Sequence, residues 1–122
     1  MTRTLGAIAV GVMLAGSAMA AQAPDPKLAA TGKKLYTTYK CDKCHTIAGR
    51  GTKKPDGELD DIGTKLSAAD IKKWLTTPAT MEAALKTPPK GTDSMANALK
   101  TKGIEPAEVD ALVAYMQTLK KK

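Results

Sequence analysis

The string Cys41-Asp42-Lys43-Cys44-His45 constrains this chain more than any other feature. Its two cysteines and one histidine are the only residues of those types in 122, and they fall within five consecutive positions. Few kinds of chemistry use such spacing. Two thiols three apart can close a disulfide, exchange with other thiols, help bind a metal, or be alkylated by one bifunctional group. Dithiol exchange calls for strands around the motif and has no use for the histidine. A zinc site needs one more ligand group, and no further Cys or His exists to supply it. A plain structural disulfide remains open as a rival.

Covalent haem attachment uses all three side chains. Both thiols add to the two vinyl groups of one haem, and the next residue then lies under the ring, where imidazole Nε2 can bind iron. The motif therefore implies one haem c held at Cys41 and Cys44, with His45 as an iron ligand. Composition agrees with a large planar cofactor. Apolar residues make up 43% of the chain, yet its aromatic residues are only Trp74, Tyr36, Tyr39 and Tyr115, with no Phe. That is a thin core for a small domain, and a haem would supply buried apolar surface.

The first twenty residues read as an export signal: Arg3 as a short positive region, Leu5 to Ala15 as an apolar stretch, and Ala18-Met19-Ala20 as a cleavage site. The stretch is short and glycine-rich for a membrane span, and an uncleaved anchor is the rival reading. Cleavage after Ala20 would leave a single domain over 21–122 in the periplasm. Export also places the cysteines in an oxidising compartment.

Along that domain the spacing predicts helices. Pro26 suits a first helical turn, and Leu28, Gly32, Leu35, Tyr36 and Tyr39 share a helical face that leads into the motif. Residues 46–63 read as loop, with Gly49, Gly51, Pro55, Gly57 and Gly63. Ser67 offers an N-cap, with Asp70 in the position of a capping-box acid, to a helix carrying Ile71, Trp74 and Leu75 that stops before Pro78. Two pieces, Met81 to Thr87 and Met95 to Thr101, match at five of seven positions, too short an echo for a structural repeat. Glu105-Pro106 opens a last helix whose stripe is Val109, Leu112, Val113 and Met116, with acids at its start and Lys120 to Lys122 at its end. No segment alternates as a strand does, so the domain is predicted to be all-α.

Here a family resemblance becomes explicit. Gly32-Lys-Lys-Leu-Tyr36, Cys41 to Gly49, the helix ending Trp74-Leu75-Thr-Thr-Pro78 and the closing Asp110 to Met116 together resemble a class I c-type cytochrome of the bacterial monohaem kind. The resemblance implies a small helical bundle around one haem, with the first and last helices crossing at Gly32 and Tyr36 packing on Leu112 and Tyr115. It implies a Met thioether as sixth iron ligand, a soft sulfur that favours Fe(II). Met95 follows a Gly91-Thr92 turn, as in the family's pattern with one extra residue, and is preferred over its echo Met81. Pro55 would give the carbonyl that binds the ligand histidine, although Pro55-Asp-Gly-Glu-Leu59 is longer than the family's segment. Trp74 would pack in the core against the haem.

The expected function is a one-electron carrier of the periplasm, not an enzyme, either monomeric or a heteromeric subunit. The rivals are a haem subunit of a periplasmic oxidoreductase and a ligand-binding haem protein with an open sixth site. The net charge of +7, or +6 once Arg3 is removed, raises the question of an acidic partner. Export and few aromatics argue against nucleic acid. Lys40, Lys43, Lys53, Lys54, Lys86, Lys90, Lys100 and Lys102 flank segments expected near the haem edge. They would steer redox partner proteins with acidic docking faces, with membrane contact only through partner complexes.

Overall fold

Asp25 starts the first helix: its carboxylate accepts the Lys27 N–H at 2.8 Å, and Pro26 occupies the first helical position, where no N–H is required. The computed structural model describes residues 23–121; the export signal read over residues 1–20, and Lys122, lie outside them. Helix α1 runs Pro26–Thr38 and buries Ala29, Gly32 and Tyr36. Leu28, placed on this face by its spacing, is exposed instead, because Ala29 takes the inward position. Lys40 then adopts a left-handed conformation, φ 54°, that turns the chain out of the helix and into the cysteine motif.

The last helix, labelled α6 here, runs Pro106–Gln117 after Glu105, whose N–H donates to the Glu108 carboxylate at 3.0 Å. Val109, Ala111, Leu112, Val113, Ala114 and Met116 are buried. Helices α1 and α6 cross where Gly32 meets α6: a Cβ there would strike the Ala111 carbonyl and lie 2.8 Å from Tyr115 Cβ. Beside the crossing, the Tyr36 and Tyr115 rings meet edge to face with centroids 5.9 Å apart. The Tyr36 hydroxyl is buried with no hydrogen-bond partner among the described residues. Burial pushes its pKa up, so it stays protonated.

Between these helices, α2 covers Ile62–Lys65 and α3 covers Ala68–Thr76. Ser67 caps α3, accepting the Asp70 N–H at 3.2 Å, while the Asp70 carboxylate faces Lys73 at 3.7 Å. Helix α3 stops at Thr76, two residues before the proline, and buries Ile71 against α6. Pro78 in turn opens α4, Pro78–Ala83, and α5 follows as Met95–Leu99.

The fold is all-α, as the spacing predicted, with one addition. Strands β1, Thr46–Ile47, and β2, Arg50–Gly51, pair antiparallel within the glycine-rich segment. Each is two residues long, too short to show alternation. The basic C-terminal run also differs from its reading. Helix α6 ends at Gln117, so Lys121 lies beyond it, where its ammonium pairs with Glu58 at 2.6 Å and its N–H donates to Asp61 at 2.9 Å. Among the described residues no helix is long and apolar enough to cross a membrane.

The core joins Tyr36, Ile71, Val109, Leu112, Val113 and Met116, with Cys41, Ile47, Leu59, Leu75 and Ile104 among those packed around it. It is built from α1, α3 and α6. Trp74, Met81, Met95 and Leu99 are half-buried but belong neither to this cluster nor to the residues packed around it. Trp74 is therefore not part of the protein's own packed core. Half-buried apolar side chains outside the core are ones that a bulky apolar cofactor could cover.

Candidate functional site

The left-handed turn at Lys40 delivers Cys41–Lys43 as a 3-10 turn, closed by the Cys44 and His45 N–H groups on the Cys41 carbonyl at 3.2 and 3.0 Å. This winding gathers both thiols and the imidazole on one short piece of chain. Neither cysteine is in a disulfide. Cys41 is half-buried against the core, and burial pushes its thiol pKa up, holding the proton on sulfur.

His45 carries the clearest electrostatic signature. Its Nδ1 lies 3.0 Å from the Gly57 carbonyl oxygen, an acceptor only, so Nδ1 must hold the proton and Nε2 the free lone pair. Burial lowers the pKa of the ring, outweighing the carbonyl contact that raises it, so the neutral form is favoured. A neutral imidazole locked in the Nδ1–H tautomer is the form that donates to a metal through Nε2.

The acceptor is Gly57, not Pro55 as the family pattern implied. The longer segment explains the shift: Asp56 takes φ 58° and the Gly57 N–H donates to the Lys54 carbonyl at 3.0 Å, closing a turn that advances the presented carbonyl by two residues. The same Gly57 carbonyl accepts the Thr46 N–H at 3.1 Å. No side chain fits at Gly57, since a Cβ would lie 2.5 Å from the Cys44 carbonyl oxygen. On the other side Gly51, at φ +112°, backs onto the carbonyls of Asp42 and His45, and the Thr52 N–H donates to Asp42 at 2.8 Å. The motif thus rests in a cradle of backbone from the hairpin and the following turn.

Met81 and Met95 both lie in short helices. Met81 is within α4 and Met95 is the first residue of α5. Each is half-buried. The segment bearing Met95 is tied to the motif side by Lys54, two residues after Thr52, which pairs with Asp93 at 2.8 Å. Helix α5 is capped by Ser94, which accepts the Asn97 N–H at 3.2 Å. Against it lies Glu82 of α4, only 6% exposed, which sequence reasoning passed over. No pattern marks it, because an acid on a helix is usually solvated.

Of the eight lysines read as a rim, two are engaged internally. Lys54 pairs with Asp93, and Lys102 donates to the Tyr39 carbonyl at 2.6 Å. Lys40, Lys43, Lys53, Lys86, Lys90 and Lys100 are exposed.

The donor set fits a haem better than a bare metal ion. Among the described residues no group of three or more His, Cys, Asp and Glu side chains converges to hold an ion. What converges is two thiols and a pre-oriented imidazole, with apolar side chains outside the core. A small all-α protein so equipped defines a class of covalent haem carriers. Comparison with known families agrees: the chain belongs to the cytochrome c family, whose model, described as Cytochrome c, matches residues 29–120. It is accordingly a c-type cytochrome of the small all-α fold, with covalently attached haem c, and its work is haem-based electron transfer, not enzymatic turnover. No curated protein and no solved structure matched the chain.

Proposed function

We propose that this is a class I monohaem cytochrome c of the periplasm, a mobile carrier that moves one electron between redox proteins. The observation that carries this reading is the His45 ring, neutral and with Nδ1 committed to Gly57, on the same turn as two unpaired thiols. Residues 1–20 are read as its export signal, cleaved to leave 21–122.

The thiols of Cys41 and Cys44 would hold a haem through two thioether links. His45 would offer its Nε2 lone pair to iron, with Gly57 fixing the ring's rotation. Met95 would supply a thioether as the second protein ligand. The haem supplies the Fe(II)/Fe(III) couple when bound. With both side chains retained in each oxidation state, reorganisation would be small and no site would be left open to substrate. The exposed lysines form the docking face for acidic partners.

Protein matured in a periplasm should give a reduced-minus-oxidised spectrum of haem c and should resist CO when reduced. Ready CO binding would favour an open sixth site. Purification at fixed stoichiometry with a catalytic partner would favour the enzyme-subunit reading. Met95→Ala should abolish the weak near-infrared sulfur-to-iron band of the oxidised protein. Survival of the band there, with its loss in Met81→Ala, would transfer the role to Met81.

A further inference from the structure

Glu82 is a carboxylate buried to all but 6% of its surface, and among the described residues no lysine or arginine forms a salt bridge with it. Burying such a group is unfavourable unless its oxygens are satisfied. They are satisfied by one short segment only. Oε2 accepts the Ser94 hydroxyl at 2.9 Å and Oε1 accepts the Ala96 N–H at 3.0 Å. Those two residues are the immediate neighbours of Met95.

In the two similar pieces, Glu82 and Ala96 occupy the same second position, one with a carboxylate and one without. The side chain of the first copy binds the backbone of the second at that matching residue. The Glu82 carboxylate thus connects α4 to α5 at the two residues that flank Met95. Ser94 is held twice, since its oxygen also receives the Asn97 N–H. Met95, lying between the two fastened residues, has its backbone fixed on both sides, while its own side chain makes no part of the clamp.

We infer that Glu82 is a positioning residue for the sixth iron ligand: by gripping Ser94 and Ala96 it presents the Met95 sulfur to iron and keeps it there. This rests on the Met95 reading above. Groups that orient metal ligands from behind change metal affinity by about 10–100-fold when removed. Glu82→Ala should therefore weaken the Met95–iron bond by at least about ten-fold. In Glu82→Gln the amide oxygen can still accept one N–H and its NH₂ can donate to the Ser94 oxygen, so the clamp is preserved in altered form.

The test uses full-length protein loaded with haem in a periplasm. The sulfur-to-iron band of the oxidised form and the CO affinity of the reduced form are read for wild type and for Glu82→Ala, Glu82→Gln and Met95→Ala. The proposal requires a weakened band and an apparent CO affinity raised about ten-fold in Glu82→Ala, because CO binds the fraction of protein whose iron has lost its sulfur. It also requires substantial rescue in Glu82→Gln. A full band and wild-type CO exclusion in Glu82→Ala would overturn it, and so would a loss in Glu82→Ala that Glu82→Gln leaves unrelieved. Should Glu82→Ala fail to load haem, Ser94→Ala removes one of the two contacts: a weakened band supports the clamp and an unchanged one rejects it. If the band persists in Met95→Ala, the ligand reading itself fails. If it vanishes there yet is intact in Glu82→Ala, only the role of Glu82 fails.

Discussion

At the scale of single residues, the chain's chemistry is concentrated in contacts made far along the sequence. The Tyr39 hydroxyl donates to the Glu108 carboxylate at 2.7 Å, joining the exit of α1 to the entry of α6. That bond, followed by the Glu105 N–H, holds the Glu108 carboxyl below its ordinary value of 4.5, and it pushes Tyr39 above its ordinary 10.0. A depressed carboxyl contributes stability above its unfolded value and loses it as pH falls through the folded one. A raised phenol does the converse, contributing below its unfolded value and losing it as pH rises through the folded one. Tyr39→Phe should thus lower the urea midpoint at neutral pH, with the gap to wild type closing in acid below 4.5. A gap that stays constant into acid would mean that the hydroxyl matters only through packing. Both thiols and His45 were legible because their types are rare and their spacing is strict. Gly57 was not, since one residue's φ at Asp56 decides which carbonyl reaches the ring. Glu82 was not either, because its partners lie 12 and 14 residues away.

Among elements, legibility followed length. Helices α1, α3 and α6, of 13, 9 and 12 residues, are long enough to display a stripe and to carry Asp25, Ser67 and Glu105 at their starts. Helices α2, α4 and α5, of 4, 6 and 5 residues, complete barely a turn, so no periodicity can mark them. They are held by neighbours rather than by propensity. The crossing of α1 and α6 gives a test whose sign is informative. On propensity alone Gly32→Ala would stabilise α1 by about 1 kcal/mol. Against the Ala111 carbonyl the new methyl must push the helices apart, and overpacking of this kind costs about 1–3 kcal/mol. Denaturant unfolding of the haem-loaded variant should show net destabilisation. A more stable variant would disprove the close approach.

For the molecule as a whole, the excess of positive charge sits on side chains that the fold leaves in solvent. Lys40, Lys43 and Lys53 flank the motif, and Lys86, Lys90 and Lys100 flank the α4–α5 segment. If these lysines steer an acidic partner, the bimolecular electron-transfer rate should fall steeply as salt rises, since at 0.1 M fields are screened within about 10 Å. A flat response would remove steering from the proposal. The core cluster, by contrast, includes nothing between Thr76 and Gly103; Glu82 joins the two short helices bearing Met81 and Met95 to each other, and Lys54 ties their segment to the motif side. Regions with few buried contacts exchange their amide hydrogens through openings that leave the rest intact. Amides of α5 should accordingly exchange well before those of α1 and α6 in haem-loaded protein. That order of exchange would mark two cooperative units of unequal resilience. The weaker one would then open and close again while Cys41 stays packed on the core of the stronger.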